Sequence, residues 1–123
     1  MSSNKINAKN APKPVGLYPH ARKVGNLLFL SGVGPRKAGS GPNDSHVPGL
    51  ELDHNGNFKS FDFASQCHSV FQNVKTILEE SGSSWENLVD ITVFLVDMKR
   101  DFQTFNKIYA DYFSTCLLYT SPS

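Results

Sequence analysis

The chain has 123 residues, 39% hydrophobic and 19% charged, the composition of a single globular domain with room for one core. Twelve basic and eleven acidic residues leave a formal charge of +1, so no global field favours nucleic acid or a membrane surface, and any anion site has to be local. No apolar run nears the ~20 residues that span a bilayer, and Cys67 and Cys116 alone make neither a disulfide framework nor a metal knuckle, which fits a reducing, cytoplasmic setting.

Residues 1–14, MSSNKINAKNAPKP, are polar and Pro-punctuated and read as a flexible arm without a secretory leader. HARKVGNLLFLSG offers two strand segments around Gly25-Asn26, a pair suited to a tight hairpin turn. A Gly- and Pro-rich loop follows, and LELDHNGNFKSF predicts a second hairpin turning at Asn55-Gly56. Asp62 is a candidate N-cap for a helix whose apolar stripe holds Phe63, Cys67, Val70, Phe71, Val74, Ile77 and Leu78. Gly82 stops that helix, although Glu79 and Glu80 sit at its end, where the dipole disfavours acids. Ser83 to Glu86 fits a capping box for a short turn.

LVDITVFLV, residues 88–96, is β-branched and apolar and predicts a central strand buried on both faces. Asp101 is the predicted cap of a second helix carrying Phe102, Phe105, Ile108, Tyr109, Tyr112 and Phe113. The order β-β-β-β-α-β-α gives an α+β fold, a mixed sheet with two helices on one face. A strand as apolar as 88–96 needs neighbours on both edges, and CLLY is too short to supply one. The pattern therefore asks for strands after Phe113.

Candidate chemistry is sparse. Asn106 lies in the apolar stripe of the second helix, where an amide has to be satisfied internally or face a cavity; the structural alternative is a bond to nearby backbone. Tyr18, His20 and Arg22 would share one face of a strand, either as a solvated face or as a local carboxylate site centred on Arg22. Ser31 and Gly32 end a strand, where glycine lets a ligand approach the backbone. SGVGPRKAGSG lacks the Gly-Lys-Ser/Thr ending and a following helix, so it is not a nucleotide loop. His20, His46, His54 and His68 show no metal spacing, and no nucleophile elbow or triad pattern is present.

Four stretches, NAPKPVGLYPHARKVGNLLFLSGVGPR, SQCHSVFQNVKTILEESG, LVDITVFLVDM and DFQTFNKIYADYF, resemble in order and spacing the Rid (reactive intermediate deaminase, YjgF-like) family. YPHAR with LFLSGVGPR is most similar to its 2-aminomuconate deaminase branch. The resemblance implies a chorismate-mutase-like fold, a homotrimer with an active site at each subunit interface, and hydrolysis of enamines and imines with no metal or organic cofactor. It carries site roles onto Tyr18, Ser31, Gly32 and Asn106. The family's carboxylate-binding arginine and a water-orienting glutamate belong to later strands with no counterpart here.

CLLYTSPS resembles a translation of sequencing-adapter read-through. The expected organisation is thus an arm (1–14), an incomplete domain (15–115) and a non-native tail (116–123), with the last strands missing and the chain as written inactive. The implied full-length activity is hydrolytic deamination of 2-aminomuconate, a small dicarboxylate, in aromatic or tryptophan degradation. Tyr18 and Asn106 are the catalytic candidates. Arg22 comes first for the distal carboxylate and Arg36 second, with His20, Ser31 and Gly32 as further substrate contacts. A general 2-imino acid deaminase and a non-catalytic carboxylate-binding trimer are the rival readings.

Overall fold

A computed structural model describes residues 4–37 and 47–114. Both hairpins form where the sequence puts them. Lys5–Ile6 (β1), Ala21–Val24 (β2) and Leu27–Leu30 (β3) make one antiparallel sheet, with Val24 opposite Leu27 across the Gly25-Asn26 turn. Gly25 has φ 59, a left-handed value that glycine adopts without strain. Leu50–Leu52 (β4) and Phe58–Phe61 (β5) make the second antiparallel pair. There the Asp53 carboxylate accepts from the amides of Asn55 and Asn57, each at 2.9 Å, and ties the Asn55-Gly56 turn.

Three expectations need correction here. The described strands form two small antiparallel sheets, not one mixed sheet. Residues 4–14 are not a loose arm: β1 pairs with β2, and Ala8 and Ala11 are buried beside Ala21 and Ile77. Residues 88–96 join no strand pair among the described residues, and their burial alternates instead of being complete. Leu88, Ile91, Val93 and Leu95 pack on the core, while Val89, Phe94 and Val96 point outward, Phe94 being 91% exposed. With only one face covered, the segment keeps the period-2 alternation of a one-sided strand.

Helix α1, Phe63–Glu80, begins at Asp62, whose carboxylate accepts from the Ser65 amide. It ends in a Schellman arrangement. Gly82, at φ 82, donates to the Glu79 carbonyl, and Ser83 donates to the Leu78 carbonyl. The next turn, Trp85–Asn87, is 3₁₀ and has no side-chain cap, unlike the expected capping box. Helix α2, Met98–Tyr112, is capped by Asp97 and not by Asp101; the Asp97 carboxylate accepts from the Arg100 amide at 3.1 Å.

The core lies between the two helices. Phe71 of α1 meets the rings of Trp85, Phe105, Tyr112 and Phe113, with centroids 4.7–6.2 Å away. The Trp85 indole N–H donates to the Tyr112 carbonyl at 2.8 Å, so its buried donor is satisfied. Cys67 faces the same cluster, and burial pushes its thiol up to about 11.

Asp101, freed from capping, is buried and takes two charge-assisted bonds from Arg100, at 2.9 and 2.6 Å. The Arg100 guanidinium also stacks over the Phe61 ring, 4.9 Å from its centroid, so it joins α2 to the second hairpin. The hydrogen bonds from Arg100 hold the Asp101 carboxyl below its ordinary 3.8. A carboxyl lowered by folding stabilises the native state above its unfolded value and loses that contribution as pH falls through the folded one. The urea-midpoint gap between wild type and Asp101→Asn is therefore full at neutral pH and closes below 3.8. With Arg100 half exposed, solvent screens the pair and the gap is small. Urea titrations at neutral and acidic pH measure it, and a gap that does not change with pH contradicts the pairing.

Candidate functional site

A cleft opens where the chain segment 12–14, the end of β3 and helix α1 meet. It is lined by Pro12, Pro14, Tyr18, His20, Ser31, Gly32, Val33, Gly34, Arg36 and Ile77. Five of the seven sequence-selected residues, namely Tyr18, His20, Ser31, Gly32 and Arg36, therefore share one cleft. The other two do not reach it within this chain. Arg22 is exposed on β2, opposite Phe29 and Lys5. Asn106 is exposed on α2, between buried Phe105 and Ile108. The apolar stripe of α2 is narrower than the sequence suggests, so Asn106 needs no internal partner.

His20 is 8% exposed, and backbone groups engage both its ring nitrogens. The Ala8 amide donates to Nδ1 at 2.8 Å, so Nδ1 offers its lone pair. Nε2 then carries the proton and donates to the Pro12 carbonyl at 2.6 Å. His20 holds segment 8–12 in place with the groups a substrate would otherwise use. Ser31 donates its hydroxyl proton to the Pro19 carbonyl at 2.7 Å, and its amide donates to the His20 carbonyl. Its oxygen lone pairs remain suited to accepting a hydrogen bond. A Cβ at Gly32 would meet no atom within 4 Å. The chain's own packing does not require glycine there; its absence of a side chain opens the backbone to an incoming group.

Arg36 donates to the Lys13 carbonyl, and a guanidinium has five donors to distribute. The loop that carries it is fastened to α1 by two residues the sequence reading missed. The Asn73 amide donates to the carbonyls of Gly34 and Arg36, at 3.0 and 2.7 Å, and the Ser69 hydroxyl donates to Pro35 at 2.8 Å. Asn73 is 5% exposed. Its signal was present in the sequence: three residues after Val70 and four before Ile77, it is a polar residue inside the α1 stripe. Asn106 carries the same signal in the α2 sequence, yet it faces solvent. Ser69 and Asn73, one helical turn apart, set the height of Gly34 and Arg36 over the cleft.

Among the described residues no group of His, Cys, Asp and Glu is arranged to hold a metal ion, and no helix is long and apolar enough to cross a membrane. His46 and Cys116 lie outside the described residues, as does residues 116–123.

Comparison with known proteins fits this picture. The family model described as Endoribonuclease L-PSP matches residues 8–122. A RutC family protein of Pyrococcus abyssi is 36% identical over 113 residues, covering 92% of this chain and 76% of the relative. Reactive Intermediate Deaminase A, chloroplastic, of Arabidopsis thaliana is 35% identical over 108 residues, covering 88% of this chain but 49% of that longer protein. The crystal structure of the Escherichia coli YjgF gene product superposes with a TM-score of 0.75 at 29% identity, covering 97% of this chain and 83% of that one. Matched by the family model over nearly its whole length and by a relative 36% identical over three quarters of that relative's length, the chain belongs to the Endoribonuclease L-PSP family, known also as the Rid or YjgF family.

Proposed function

We propose that this cleft is part of an enamine/imine deaminase site and that the preferred substrate is 2-aminomuconate. The supporting observation is the meeting of Tyr18, Ser31, Gly32 and Arg36 on one surface. In the reaction the enamine tautomerises to a 2-imine, water adds at that carbon, and ammonia leaves as the C–N bond breaks and a carbonyl forms. The protein's task is to hold the carboxylate, orient the water and stabilise charge on oxygen and nitrogen. Arg36 takes the carboxylate, the first-ranked Arg22 lying outside the cleft. Tyr18, 42% exposed, closes over the ligand with its hydroxyl available as a donor. The Ser31 oxygen accepts from the ammonium or water. The relative named as a reactive intermediate deaminase supports the reaction class.

The cleft encloses only ≈ 30 Å³, room for a water and far below the several hundred Å³ that ligand sites occupy. A six-carbon dicarboxylate needs another wall. In our reading a second copy supplies it, in a homotrimer whose sites lie between subunits. The apolar residues exposed near this region, Leu17 above all, are what such an interface would cover.

The test is ammonia release from freshly generated 2-aminomuconate, with 2-iminopropionate and RNA as comparison substrates. A chimera extended with the C-terminal strands of a relative is run beside the 123-residue chain. Turnover of 2-aminomuconate, lowered about 100-fold or more by Arg36→Ala but unchanged by Arg22→Ala, supports the reading. Turnover of 2-iminopropionate alone moves the assignment to a general imine deaminase. Carboxylate binding without turnover moves it to a binding module, and RNA cleavage to the activity in the family's description.

A further inference from the structure

The two acids at the end of α1 conflict with the helix dipole, and Glu80 has a structural reason to be there. Its carboxylate accepts from two consecutive amides of the N-terminal segment, Lys9 at 2.7 Å and Asn10 at 3.1 Å. His20 holds the same segment on either side of that grip, at Ala8 and Pro12. Ala8 and Ala11 fill the space underneath, against Ala21 and Ile77. The residues that follow directly, Pro12 and Pro14, form one wall of the cleft.

We propose that Glu80 is a positioning residue for the ligand site. By fixing the amides of Lys9 and Asn10 to the end of α1, it sets where the Pro12–Pro14 wall stands, and through it how tightly the cleft holds a carboxylated ligand. Glu80 does not line the cleft and touches no ligand. Its effect passes through backbone. Two proline rings transmit that position well, because each fixes its own φ and restricts the residue before it. The cleft has a further tie to the same strip of chain, since Arg36 donates to the Lys13 carbonyl. A displaced segment therefore also shifts the guanidinium assigned to the carboxylate. This inference rests on the deaminase reading for its ligand class, but not for its geometry.

The experiment compares wild type, Glu80→Ala and Glu80→Gln by amide NMR. It uses pyruvate, the product of 2-iminopropionate hydrolysis, as the probe. Glu80→Ala should cut hydrogen-exchange protection at Lys9 and Asn10 about tenfold or more and raise the pyruvate Kd about fivefold to tenfold, with the exchange of core amides in α1 unchanged. Glu80→Gln, which keeps one acceptor oxygen, should recover part of both. An unchanged Kd beside lost protection overturns the positioning role, and so does a Kd change accompanied by global loosening of α1. If wild type fails to bind pyruvate, the ligand reading fails on its own. The positioning role is then decided by whether the Tyr18, Ser31 and Gly32 resonances move in Glu80→Ala: movement supports it, and unmoved resonances overturn it.

Discussion

Phe71→Ala should cost about 3–5 kcal/mol, enough to leave much of the chain unfolded at 25 °C. Phe71 is 2% exposed and, among the described residues, is the one side chain that meets rings from the 3₁₀ turn and from two turns of α2 together. Truncation removes the ring's transfer energy and leaves a cavity between α1 and α2 that backbone cannot fill, because both helices are fixed by caps at their N-termini. Urea denaturation followed by circular dichroism reads the loss. Phe71→Leu, which retains most of the volume, should fall well short of it. Equal losses from the two substitutions would mean that ring contacts, and not filled volume, hold the helices together.

The second large effect concerns the outward face of residues 88–96. Phe94 and Val96 are 91% and 104% exposed, beside Val89 at 58%, on an extended segment with no strand pairing among the described residues. Unpaired strand backbone with an apolar outer row is a template for association. Wild-type chain should run as multimers or aggregate in size-exclusion chromatography with light scattering. Phe94→Lys with Val96→Lys should run as a monomer, and since neither side chain is packed, its thermal stability should change little. A wild-type monomer at the same concentration would show that this face needs no cover. If the site is built between copies, the double variant also loses deaminase turnover in the extended chimera.

Local signals were read correctly where local physics decides. Gly25-Asn26 and Asn55-Gly56 marked both turns, Asp62 marked the start of α1, and Gly82 its end, because turn and cap geometry depends on a few adjacent residues. Misreadings occurred where distant partners decide. The polar composition of 4–14 gave no hint of the packing made by His20 and Glu80, which come from outside the segment. The apolar run 88–96 looked buried on both faces, since composition cannot say whether a second layer is present. Asp101 was the expected cap of α2, but Asp97 holds that place, accepting from the Arg100 amide three residues ahead, and Asp101 takes the Arg100 guanidinium instead. In the site, residue types pointed to Tyr18, Ser31, Gly32 and Arg36. They could not tell that Arg36 lines the cleft and Arg22 does not, since that depends on how Ser69 and Asn73 hold the loop.

The link between Glu80 and the amides of Lys9 and Asn10 spans 71 and 70 positions of chain. During synthesis, at roughly 5–20 residues per second, the front of the polypeptide has no carboxylate to grip until several seconds after it has left the peptidyl-transferase centre. The wall it provides thus waits for a group made some 70 positions later.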